Sequence, residues 1–129
     1  MTTRPETPEI SEGDLLFVRR SPNDMRGRDE SERYIPARVV KAARVWIVLE
    51  ATGEGALIGH AWRMRRDTRD EATQYISDNA SFVTPEQKAW DEAQHEAEAF
   101  LREQGISIEW TGPWHGREQE LADLIRKAA

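Results

Sequence analysis

The chain has 129 residues, 38% hydrophobic and 33% charged, with a net charge of −6 and an isoelectric point near 5.1. That is enough for one modest core in one domain with room for an appended helical element, and the absence of cysteine excludes disulfides, thiolate metal sites and cysteine nucleophiles. No apolar run approaches the ~20 residues of a membrane span, and the acidic balance argues against non-specific nucleic-acid binding by the molecule as a whole.

Residues 1–12 are polar, with two prolines and three threonines, and Ile10 is their one apolar side chain after Met1. This predicts a loosely draped arm without a signal core, and so a cytoplasmic protein. Gly13 and Asp14 signal a turn before the short apolar run Leu15 to Val18, the first strand, over 14–19. Residues 21–32 carry Pro22, Asn23, Asp24 and Gly27 without periodicity, which predicts a long exposed loop, either a solvated insertion or a partner-binding loop.

Residues 35–50 are rich in β-branched side chains (Val39, Val40, Val45, Ile47 and Val48), which disfavour a helix. The run splits near Ala42 and Ala43 into strands over 35–41 and 44–50, although alanine is a poor residue for the positive φ of primed hairpin turns. In the second of these strands both faces are apolar, Val45, Ile47 and Leu49 on one and Trp46 and Val48 on the other. Thr52 to Gly55 is a turn. A fourth strand over 57–66 alternates Trp62 and Met64, expected inside, with Arg63 and Arg65, expected in water. Tyr75, Ile76, Phe82 and Val83 pin residues 67–83 to the sheet, with a short fifth strand among them. Short antiparallel strands in sequence with one apolar side are expected to curl into a small barrel.

Thr84, Pro85 and Gln87 form a helix start: a cap, a proline at the first helical position and a capping-box partner. The helix is expected over 85–104, with Trp90, Ala93, Ala97, Phe100 and Leu101 as its stripe and Gly105 with Ile106 as its C-terminal stop. Ile106 to Trp110 alternates like one short strand. A tight turn follows through Thr111, Gly112 and Pro113. A second helix over 117–128 places Leu121, Leu124, Ile125 and Ala128 on one face.

Charge is divided along the chain. Between Arg33 and Arg69 eight basic side chains face three acidic ones, a net +5, whereas residues 70–129 hold 13 acidic and 5 basic side chains, a net −8. Three readings of the basic sheet follow. Arg63, Arg65 and Arg66, with Arg38 or Lys41 on a neighbouring strand, could track a phosphate backbone while Trp46 stacks on a base. The acidic helices could fold back on them and neutralise them. Or the sheet of one copy could meet the helices of another. Trp110 and Trp114 flank a rigid turn and either cover the end of a small core or form a binding edge, since tryptophan is enriched at interface hot spots.

Catalytic patterns are sparse. His60, His95 and His115 fall on three different elements. His95 sits among Asp91, Glu92 and Glu98 on the first helix, but a helical metal site of that kind needs a second copy facing it. There is no nucleophile elbow, no phosphate loop and no dinucleotide fingerprint. No catalytic residue, cofactor or metal ligand is therefore assigned, and the chain reads as a non-enzyme.

The run Gly13-Asp14, Pro36 to Trp46, Arg63 to Thr68, Thr84-Pro85-Glu86 and Leu101 to Ile106 resembles small proteins of actinobacteria and their phages that have SH3-like or KOW-like β-barrel character. The resemblance spans most of residues 13–126 and rests on turns and strand patterns; such sequences are expected to carry glycine at the position of Ala43. It brings no activity or site residues. What it implies is a phage or prophage accessory protein.

The expectation is therefore an α+β chain: an arm over 1–12, an SH3-like antiparallel barrel of four to five strands over 13–83, and a helical extension over 84–129. Its function is expected to be that of an interaction module binding another protein through the barrel loops or the Trp114 loop. The alternative is a nucleic-acid-binding barrel, with self-association open and no membrane partner. The candidate interaction residues are Arg38, Trp46, Arg63, Arg65, Arg66, Trp110 and Trp114.

Overall fold

A computed structural model describes residues 3–53 and 59–128. The expected turn residues Glu54 and Gly55, and the first two positions of the expected fourth strand, lie outside the described residues. The chain divides into two compact units, one of residues 7–85 and one of residues 1–6 with 86–129.

The first unit is an antiparallel sheet of β1 (Leu15–Arg19), β2 (Tyr34–Ala42), β3 (Trp46–Ala51), β4 (Ala61–Arg65) and β5 (Ser81–Val83). Its order is β4-β3-β2-β1-β5, so the first four strands form a meander and β5 returns beside β1. The sheet is a curled half-barrel. Its curl has two visible sources. Val40 is a bulge, since Val39 faces Leu49 and Lys41 faces Val48, and bulges increase local twist. Beyond β4, residues 65–71 turn back so that the Arg65 N–H donates to the Asp70 carbonyl and the Phe82 N–H to the Arg69 carbonyl, with a bridge between Asp70 and Ser81.

Period-two alternation sorts the sheet into two faces. Leu16, Val18, Ile35, Ala37, Val39, Ile47, Leu49, Trp62, Met64 and Phe82 point into the curl and form the core with Ile10, Ala51 and Ala80. The expected burial of Trp62 and Met64 matches their positions. Ile10 carries part of the arm into this core, so the segment next to β1 is anchored and not loosely draped. The turn between β2 and β3 forms at Ala43 to Val45 with the Ala43 N–H donating to the Trp46 carbonyl. No residue in it has positive φ, so alanine costs nothing there.

The loop between β1 and β2 is ordered by its own charges. The Arg20 guanidinium donates to the Glu32 carbonyl and to the Asp24 carboxylate, Arg28 also reaches Asp24, and Arg33 grips Glu30 through two hydrogen bonds. Asn23 donates to Asp78, tying the loop to the single helical turn Ile76–Asp78.

The second unit is built on α1 (Pro85–Glu103) and α2 (Glu118–Ala128). Gly105 ends α1 at φ +74, with the Ile106 N–H on the Leu101 carbonyl and the Gly105 N–H on the Arg102 carbonyl, a Schellman motif. Ala97, Leu101 and Ala122 are buried, with Phe100, Ile106, Ile108, Leu121 and Ile125 packed around them.

Two expectations are corrected here. Residues 106–110 do not form a strand: Ile106 and Ile108 alternate inward, but the elements of their unit are helices, and a strand needs a neighbour to pair with. On α2 the buried position is Ala122, not Leu124, which is exposed, and Ala128 is exposed as well. The stripe runs Glu118, Leu121, Ala122, Ile125, because Glu118 is itself drawn in. Burial alone would raise its carboxyl, but hydrogen bonds from Gln94 and the Gly116 N–H hold it below the usual range.

Candidate binding face

Strand register decides which charges of the first unit share a surface. On the face turned away from the core, Arg65 stands opposite Trp46, Arg63 opposite Val48, and Val48 opposite Lys41. The next rung is Ala61, Glu50, Arg38 and Leu15, and Arg19 follows further along β1. Five cations and one carboxylate therefore share one sheet face. The parity of each strand puts them there: their neighbours Val18, Ala37, Trp62 and Met64 take the inward positions.

The charges on this face are not alike. Arg65 donates from Nε and Nη2 to the two oxygens of Asp67, both at 2.9 Å. That grip, with the Thr68 N–H, holds the Asp67 carboxyl down at about 2, and the same pairing raises Arg65. Arg63 lies over the Trp46 ring at 3.8 Å from its centroid, a diagonal neighbour across the β3–β4 ladder, and Arg65 reaches the same ring at 5.7 Å. Arg19, Arg38, Lys41 and Arg63 are exposed and have no ion pair among the described residues. Even Arg38, directly across from Glu50, does not close one. Elsewhere Arg4, Arg20, Arg28, Arg33, Arg117 and Arg126 are all paired to carboxylates.

The sequence grouped Arg66 with Arg63 and Arg65, and the structure separates it. Arg66 follows the end of β4, and its guanidinium donates to the backbone carbonyls of Ala43 and Ile10, bracing the β2–β3 turn and the arm. Trp46 is likewise not free to stack on a base on the side that Arg63 covers.

Trp110 and Trp114 lie in the second unit, and neither joins its buried cluster. Trp110 is 81% exposed and packs its ring on His115 at 4.5 Å. Trp114 is half-buried with Arg117 over it at 4.5 Å.

Arg19 and Arg44 were not among the candidate residues of the sequence, and Lys41 entered only as an alternative to Arg38. Arg19 and Lys41 depend on register: only the β1–β2 pairing and the bulge at Val40 show that both share a face with Arg63. Arg44 lies in a turn, and no sequence signal marks it. Among the described residues no group of three or more His, Asp or Glu side chains is placed to hold a metal ion, and no helix is long and apolar enough to cross a membrane.

A family model described as the phage ProQ C-terminal-like domain matches residues 1–127. No curated protein and no solved structure matches the chain.

Proposed function

The chain belongs to the phage ProQ C-terminal-like domain family, and we propose that it is an accessory module of phage or prophage origin that acts by binding, not catalysis, in the cytoplasm. Its binding surface is the outer face of the sheet, and its partner is the anionic backbone of a single-stranded nucleic acid. The observation that carries this reading is that Arg19, Arg38, Lys41 and Arg63 gather on one sheet face with no ion pair among the described residues. Unpaired cations on an acidic molecule keep their charge for an outside partner, and a local patch steers an anion where net charge does not. Arg63 and Arg65, two residues apart on one strand, lie about 7 Å from each other along it, a spacing suited to successive phosphates of an extended strand. The curl reads as an SH3-like small barrel, a reading supported by the β1–β4 meander with β5 returned beside β1.

The test is the affinity for a labelled 20-nucleotide single strand between 50 and 200 mM salt. Four phosphate contacts predict a slope of log K against log salt of about −3. The Arg38→Gln, Arg63→Gln double variant removes two of the four contacts and is expected to flatten that slope by about 1.4. Absence of binding at 50 mM salt would overturn the reading.

A second reading has its own support. Trp110, 81% exposed and braced by His115, offers an aromatic anchor to a protein partner. If that reading holds, a partner protein captured by the wild type is lost with Trp110→Ala while the circular dichroism spectrum is unchanged.

A further inference from the structure

At the end of β4 lies a cleft of about 210 Å³ lined by Arg44, Val45, Arg65, Arg66 and Asp67, and Arg65 is the residue it shares with the outer face. Pockets for whole small molecules are larger, roughly 300–1,000 Å³, so this cleft suits a single end group. Two of its guanidiniums are fixed before any ligand arrives. Arg65 spends Nε and Nη2 on Asp67, which leaves Nη1. Arg66 spends Nε and Nη1 on backbone carbonyls, which leaves Nη2. Arg44 is exposed and has no partner among the described residues. Donors held in place by other bonds lose little freedom when they bind, and guanidinium N–H groups match phosphate oxygens.

Charge selects the kind of anion. Three arginines against one aspartate leave the lining at +2. A phosphate monoester carries about −1.5 to −2 near neutral pH, whereas each backbone diester carries about −1. Position selects its source. Arg65 stands on the last outer rung, opposite Trp46, and the Arg66 N–H donates to the Val45 carbonyl one step further. A strand that follows Arg63 and Arg65 along β4 therefore arrives at the cleft.

We infer that this cleft takes the terminal phosphate monoester of a nucleic-acid strand lying along the sheet face, with Arg44, Arg65 and Arg66 as its ligands. The inference rests on the reading of the sheet face as a nucleic-acid surface. It makes the module a reader of phosphorylated strand ends, distinguishing them from internal backbone.

The experiment compares three internally labelled 12-nucleotide single strands of one sequence, with a 5′-phosphate, with a 3′-phosphate, and with hydroxyls at both ends. One phosphorylated strand is expected to bind the full chain about tenfold more tightly than the hydroxyl strand, the effect of one or two charge-assisted hydrogen bonds. Arg44→Gln, at an exposed position without a partner among the described residues, is expected to abolish that preference while the hydroxyl strand binds as before. Arg38→Gln is expected to weaken all three strands alike. Equal affinity of the wild type for all three overturns the cleft and leaves the sheet reading standing. Failure of every strand to bind overturns the sheet reading and the strand as source. Titration with uridine 5′-monophosphate, followed by arginine side-chain NMR, then decides the cleft alone. Saturable shifts of Arg44 and Arg65 that vanish in Arg44→Gln support a phosphate monoester site, and unchanged spectra overturn it.

Discussion

Neighbouring residues on β4 have opposite jobs. Met64 is fully buried and Arg63 is exposed over Trp46. Met64→Ala opens a cavity in the core and is expected to cost about 2–5 kcal/mol in chemical denaturation. Arg63→Gln removes only a surface cation–π contact, and its cost is expected below about 1 kcal/mol while nucleic-acid binding weakens. Asp67 adds a pH signature. Its folded value lies at about 2, below the ordinary 3.8. A depressed carboxyl supports the folded form above its ordinary value, and the support is lost as pH falls through about 2. The Arg65–Asp67 grip is therefore expected intact at pH 4. An NMR titration should show the Thr68 amide moving between pH 3 and 1.5, and an inflection near 4 would contradict the pairing.

At the level of elements, two small devices hold the shape of the first unit. The bulge at Val40 twists β2, and Arg66 ties the β2–β3 turn to the arm through the carbonyls of Ala43 and Ile10. Arg66→Ala leaves those carbonyls without their charged donor and is expected to lower stability by about 1.5–3 kcal/mol, read as an earlier urea midpoint with an unchanged slope. In the second unit Gly105 carries the C-terminal stop of α1 at φ +74, with nothing within 4 Å of an added Cβ. Gly105→Ala therefore tests backbone conformation alone, and about 1–2 kcal/mol of destabilisation is expected from the left-handed conformation.

At the scale of the whole molecule the two units are unequally stabilised from within. Among the described residues the sheet unit buries thirteen side chains in one cluster, whereas the cluster of the helical unit has three buried side chains and a partly exposed rim. Local stability follows buried apolar contact, so hydrogen exchange is expected to be slowest at Val18, Ile47 and Leu49 and faster at Ala97 and Ala122. Uniform protection across both would show that the helical unit draws on more than its own cluster. The net charge of −6 is also a molecular property, and it conceals a sheet face of opposite sign.

Most of the elements were legible in local sequence. β-branched density separated strands from helices over 35–50, alternation told Trp62 and Met64 from Arg63 and Arg65, and Pro85 and Gly105 marked where α1 starts and stops. These are local effects, in which the chain's own sterics and period choose the conformation. Tertiary structure decided which charges meet. The register across β1, β2, β3 and β4, shifted by one residue at Val40, gathers Arg19, Arg38, Lys41 and Arg63 on one face. The turn after β4 sends Arg66 away from that face and toward Arg44. The same tertiary context kept Ile106 to Trp110 from becoming a strand, because alternation chooses a face but only a neighbouring strand can complete its hydrogen bonds. Periodicity is written in one segment at a time, whereas a binding face is a relation between segments, and it exists only once their hydrogen bonds have fixed the register.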